Sequence, residues 1–232
     1  MQKLIVANWK ANKSLSQAQA WLETVASAKP INLTKLKPIV APAFSLLPLV
    51  ESTTSQLGWQ LAAQDISPYP AGSYTGAVSV VNLQGLALTF VIIGHSERRE
   101  HFGETAQQVA RKAEQVVSAG MTPMVCVSEQ TLTEQASALD AKIMERCVVV
   151  YEPPSAIGSG DSALLSQVSD FQARVKQLFG SVPFLYGGSV DEQNIGEYLL
   201  ITDGVVVGTA SLSADQFINL LQTAQGDQPS AV

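Results

Sequence analysis

Eight short apolar runs recur along this chain, each followed by a longer segment of mixed polarity, and that alternation restricts the fold more than any other feature. The runs are KLIVAN (3–8), PIVAPA (38–43), WQLAAQ (59–64), FVIIG (90–94), TPMVCV (122–127), CVVVYE (147–152), PFLYGG (183–188) and GVVVG (204–208). Helical patterns lie between them. In TAQQVARKAEQVVSAG (105–120), Val109, Ala113, Val116 and Val117 share one face and Gly120 supplies a stop. Strands that alternate with helices pair in parallel through right-handed crossovers. Eight strands that are apolar almost throughout favour a closed (β/α)8 barrel over an open doubly wound sheet.

The length of 232 residues suits one such barrel, expected over 1–225 as a single domain, with GDQPSAV (226–232) as a loose tail. A net charge of −6, with 14 Lys and Arg that form no stripe, argues against a nucleic-acid partner. No apolar run approaches the ~20 residues of a membrane span. The opening MQKLIVANWK reads as strand and not as a leader. Cys126 and Cys147 each lie in an apolar run without CxxC spacing, which suggests small core residues of a cytoplasmic protein.

A barrel gathers function at the C-terminal ends of its strands, and the polar residues cluster there. Glu152 ends the sixth run and is followed by Pro153, Pro154 and the small-residue stretch AIGSG (156–160). A carboxylate at a strand tip beneath a glycine-rich loop suits a general base under a lid over 153–161. His95 follows the fourth run, in GHSERRE. If SERRE opens a helix, its N-terminus disfavours imidazolium, and a neutral imidazole can still donate to a developing oxyanion. Glu97, Arg98 and Arg99 could equally form a solvated charge run, and for Arg98 that is the expectation. Lys10, beyond the first run, is the natural partner for an anionic substrate in a mouth poor in cations. Three loops read as an anion cradle built on backbone N–H groups: Gly158 in the lid, YGGSV (186–190) and VGTASL (207–212).

Together these residues resemble triosephosphate isomerase over nearly the whole chain. The motifs stand in the family's order: ANWKAN (7–12), AAQDISPYPAGSYTG (62–76), GHSERR (94–99), YEP…AIGSG (151–160), YGGSV (186–190) and VGTASL (207–212). The resemblance implies a single-domain α/β TIM barrel that interconverts dihydroxyacetone phosphate and glyceraldehyde 3-phosphate through an enediolate, in glycolysis and gluconeogenesis. It implies Glu152 as the base, neutral His95 as the group that polarises the carbonyl, and Lys10 with Asn8 as electrostatic support. Gly158, Ser189, Gly208 and Thr209 would hold the phosphate, and Glu97 would anchor Lys10. No metal or organic cofactor is implied. The family is usually a homodimer; here the arm would be residues 67–77, with Thr75 reaching the partner's Asn8 and the partner's Glu97.

The chain departs from the family in its lid, with Pro154, Ser155, Ser159 and Asp161 where valine, tryptophan, threonine and lysine are usual. Altered lid kinetics, not lost catalysis, is the expectation. Thr209 replaces a glycine and would be strained if the site needs positive φ. Asp65 and Ala77 replace a common asparagine and glutamate, and the segment between Val127 and Cys147 is short. Two alternatives stand beside the isomerase: another phosphosugar isomerase or aldolase, and a catalytically silent barrel kept for binding phosphate ligands or as a scaffold. The first lacks a strand-centre lysine, and intact Lys10, His95 and Glu152 speak against the second.

Overall fold

A computed structural model describes residues 2–153 and 162–226. Gly158, the lid substitutions at 154, 155, 159 and 161, and all of the tail but Gly226 lie outside the described residues. The eight strands are β1 (Lys3–Asn8), β2 (Leu36–Ala41), β3 (Gln60–Ala63), β4 (Leu88–Ile93), β5 (Thr122–Val127), β6 (Val148–Tyr151), β7 (Phe184–Tyr186) and β8 (Gly204–Val207). They pair in parallel in chain order, and β8 closes onto β1. Around them run α1 (Leu15–Ser27), α2 (Leu47–Leu57), α3 (Ser96–Phe102), α4 (Ala106–Ser118), α5 (Leu132–Ala138), α6 (Ala141–Met144), α7 (Leu165–Phe179), α8 (Ile195–Ile201) and α9 (Ala214–Gln225). This is the (β/α)8 barrel that the alternation predicts.

The two-residue period of the strands explains the core. Leu4 and Val6, Phe90 and Ile92, Met124 and Cys126, and Val148 and Val150 pack together with Ile39, Ala62, Leu185 and Val206 inside the barrel. Their neighbours Ile5, Ala7, Val91, Ile93, Val125 and Val149 pack outward among the helices. The same parity carries the inner face one rung further, to Asn8 at the end of β1 and Glu152 just after β6. Both are buried at the C-terminal rim. A polar group on that rung therefore meets the barrel mouth instead of the helix layer.

Strand limits differ from the apolar runs where hydrogen bonding decides them. β2 begins two residues early because Leu36 pairs with Lys3, while its pairing with β3 begins only at Ile39, after Pro38, which has no N–H to give. The short segment after Val127 holds two small helices, α5 and α6. Gln135 of α5 is buried there, donating to Ala106 O at 3.2 Å and accepting from Arg99 at 2.7 Å. In α4, Thr105 and Gln108 form a reciprocal cap, and Gly120 (φ 79°) follows the helix end. Val117 is only half-buried, and the apolar stripe instead includes Lys112.

Candidate active site

Asn8 and Lys10 are set by the chain's exit from β1. Asn8 Oδ1 accepts the Lys10 N–H at 3.1 Å, and Lys10 turns into the left-handed region at φ 53°. Gln64 clamps this turn by donating to Lys10 O at 3.0 Å and Ala41 O at 2.7 Å. A left-handed lysine is strained unless its surroundings hold it, and these contacts do so. The turn delivers Lys10 Nζ to Glu97 Oε1 at 2.6 Å. Burial alone would raise the Glu97 carboxyl. The Lys10 hydrogen bond and the Lys10 charge oppose it, and the group is held below its ordinary value.

His95 is the N-cap of α3, and its Nδ1 accepts the Glu97 N–H at 3.2 Å. A nitrogen that accepts this bond carries no proton, so the neutral ring bears its hydrogen on Nε2. That atom lies 3.1 Å from Glu152 Oε1. The other carboxylate oxygen accepts the Ser96 N–H at 2.8 Å, and the Glu152 backbone is tied to Val127 O at 2.8 Å. Asn8, Lys10, His95, Glu97 and Glu152, spread over three segments of the sequence, are thus brought to one rim.

The glycines of YGGSV answer to close approach. A Cβ on Gly187 would lie 2.8 Å from Val150 Cγ1 and 3.3 Å from Glu152 Cγ; one on Gly188 would lie 2.2 Å from Tyr186 Oη. That phenol accepts the Ala163 N–H at 2.9 Å, and Tyr198 donates to Ala163 O at 2.6 Å. Ser189 stands on the same loop, where its carbonyl accepts from Asn194 at 3.2 Å. After β8, Gly208 leads into a 3-10 turn at Thr209–Ser211. Thr209 is not in the left-handed region, which among the described non-glycine residues only Lys10 and Lys13 occupy. The strain expected at Thr209 is therefore absent, because the turn takes ordinary negative φ there.

Arg98 corrects the expectation of a solvated charge run. Its Nε lies 2.9 Å from Asp65 Oδ2 and 2.7 Å from Glu104 Oε2, and Lys112 Nζ lies 2.6 Å from Asp65 Oδ1 and 2.8 Å from Glu104 Oε2. Glu104 Oε1 also accepts the Gly94 N–H at 3.2 Å, so this cluster braces the turn just before His95. Burial pushes the Asp65 carboxyl up, opposed by Lys112 and reinforced by Glu104. Burial would raise Glu104 too, but the Lys112 charge and the bonds from Lys112 and Arg98 hold it below its ordinary value. The one sequence signal was Lys112 on the apolar stripe of α4 beside Val109, Ala113 and Val116.

A carboxyl depressed in the fold contributes stability that is full above its unfolded value of 4.5 and is lost as pH falls through the folded one. Thermal unfolding from pH 6 to 3 is therefore expected to show a falling melting temperature below about 4.5. The fall should be shallower in Glu104→Gln. Equal slopes in the two proteins would contradict the assignment.

The cysteines are free and buried. Burial, with Glu152 beside it, pushes the Cys126 thiol well up, and burial pushes Cys147 up to about 12, which makes both poor nucleophiles. Among the described residues no group of three or more His, Cys, Asp or Glu is placed to hold a metal ion.

Comparison with known proteins agrees with this arrangement. The family model for triosephosphate isomerase matches residues 3–224. The triosephosphate isomerase of Dehalococcoides mccartyi is 35% identical over 97% of each chain. That of Idiomarina loihiensis is 33% identical over 96% of this chain and 98% of its own, and that of Streptococcus equi subsp. zooepidemicus 34% over 94% and 96%. A closed eight-stranded barrel with this rim, matched along nearly its whole length, belongs to the triosephosphate isomerase family.

Proposed function

We propose that Glu152 is the base, His95 the oxygen-side acid and Lys10 the electrostatic anchor with which this isomerase interconverts dihydroxyacetone phosphate and glyceraldehyde 3-phosphate. The observation that carries the reading is the convergence of Glu152 Oε1 and the His95 Nε2 edge at 3.1 Å on the rim that also holds Lys10. Glu152 leaves the Ser96 N–H and takes a proton from the carbon next to the substrate carbonyl, giving an enediolate, and returns it to the neighbouring carbon. The His95 Nε2–H meets the carbonyl oxygen and passes protons between the two oxygens. Lys10, steadied by Glu97, offsets the negative charge. Gly208, Thr209, Ser189 and Gly158 hold the phosphate through backbone N–H groups and the serine hydroxyl. Nothing in the comparisons favours a silent barrel. A coupled assay with glyceraldehyde 3-phosphate tests the reading: saturable turnover, inhibited competitively by inorganic phosphate, is expected, and its absence in folded protein would refute it.

We place the enzyme in the cytoplasm as a homodimer. Support for the dimer is the loop over residues 67–77, whose residues 70–77 are exposed. Tyr69 and Tyr74 stack there at 4.8 Å, and Phe102, 71% exposed, lies nearby across the same cleft. Aromatic rings exposed to solvent suit a contact between copies, with Thr75 directed to the partner's Asn8 and the partner's Glu97. Light scattering is expected to give twice the 24.6 kDa chain mass. A fully active monomer at micromolar concentration would overturn the dimer. The two free buried cysteines support a reducing compartment.

A further inference from the structure

The loop from β1 to α1 carries a second lysine that the reaction above does not use. Lys13, like Lys10, adopts a left-handed backbone, at φ 70°. A residue with a side chain holds that conformation only where other contacts require it. Its Nζ donates to Leu212 O at 2.6 Å and lies 5.1 Å from the centroid of the buried Trp9 ring. Burial holds its ammonium below the ordinary lysine value.

Leu212 closes the 3-10 turn that follows β8. The far end of this turn is held from the β1–α1 unit at two carbonyls: Ser211 O accepts the Trp21 indole N–H at 3.0 Å, and Leu212 O accepts from Lys13. Within the turn, Gly208 O accepts from Ser211 N at 2.9 Å and from Ser211 Oγ at 2.7 Å. Its near end sits beside the other lysine, since a Cβ on Gly208 would lie 3.7 Å from Lys10 Cε. One short loop therefore meets the turn at both ends, with Lys10 at the start and Lys13 at the finish.

We propose that Lys13 is a positioning residue for phosphate binding: by tethering Leu212 it fixes the Gly208–Leu212 turn relative to Lys10, and so sets the affinity for the substrate's phosphate without touching it. This rests on the phosphate-binding role proposed above for that turn. Backbone donors bind an anion well only when held in place beforehand, so freeing the tether weakens binding more than chemistry.

The test compares the parent with Lys13→Met, which keeps the aliphatic stem, Lys13→Asn, which suits the left-handed backbone, and Lys13→Arg, which restores a donor. KM, kcat and the inhibition constant for inorganic phosphate are measured in each, with phosphate affinity also titrated by calorimetry. In the Met and Asn variants KM and the phosphate constant are expected to rise together by about tenfold, with kcat within about twofold of the parent, and Arg to recover most of the loss. Unchanged constants would overturn the proposal. So would a joint fall of kcat and melting temperature with phosphate affinity intact, which marks a merely structural residue. A parent that binds phosphate without isomerising triose phosphate would count against the reaction alone, and the calorimetric comparison would still decide the role of Lys13.

Discussion

Glu152→Gln is expected to lower kcat by about 10³–10⁴-fold, the upper range for removal of a positioned general base. The substitution keeps the shape of the side chain, and its amide oxygen can still accept the Ser96 N–H that Glu152 Oε2 accepts at 2.8 Å. What it loses is the capacity to take a proton. The site is buried, and the His95 Nε2 edge lies 3.1 Å from the carboxylate that the substitution removes. KM and the melting temperature are expected to stay near those of the parent, which separates lost chemistry from lost fold. A variant within tenfold of the parent would remove Glu152 from the role of base.

The second large effect concerns closure of the barrel. Gly204 begins β8, paired with Leu4 on one side and Leu185 on the other. A Cβ there would lie 2.1 Å from Leu4 O and 2.8 Å from Leu4 C and N, all backbone atoms that cannot swing aside as a side chain can. Gly204→Ala must push β8 off β1 at the seam that closes the sheet. The expected cost is about 3 kcal/mol or more, the upper range for overpacking, and denaturant unfolding measures it. Gly196→Ala is the control. Gly196 is the second residue of α8, with nothing within 4 Å of a Cβ and with no positive φ, so alanine is expected to be tolerated and to stabilise by about 0.5 kcal/mol. Equal unfolding midpoints for the parent and Gly204→Ala would show that the seam gives way at no cost.

The barrel was legible because each strand is a run of apolar residues that must be covered on both faces, and the interruptions are helical in period. β1 and β5 match their apolar runs residue for residue; β6 and β7 stop sooner, at Tyr151 and Tyr186. Their last residues, Glu152, Gly187 and Gly188, are needed at the mouth and leave the regular ladder. Polarity alone does not mark where pairing stops. The rim residues were legible through their places after the strands, since parity along β1 and β6 aims Asn8 and Glu152 where Leu4 and Val148 already point.

The braces behind the rim were not legible. Asp65, Arg98, Glu104 and Lys112 come from separate loops and helices, and each looks like a surface charge until the fold brings their opposite charges within 3 Å. Only Lys112, set among apolar neighbours on α4, carried a local sign of burial. Thr209 shows the opposite failure. Its substitution for glycine suggested strain, but strain depends on φ, which residue identity does not specify. The left-handed positions instead fall on Lys10 and Lys13, where side-chain tethers and not residue type hold the backbone.

Isomerisation of glyceraldehyde 3-phosphate in deuterated water, followed by NMR for the parent and Glu152→Gln, tests the central claim most directly. If the Glu152 carboxyl carries the proton between carbons, it exchanges with solvent while the enediolate lives. The parent's product should then carry deuterium at the carbon that receives the proton, and the variant should form almost no product in the same time. Deuterium-free product from both proteins at similar rates would mean that the hydrogen moves without Glu152, and the account of the site would be wrong.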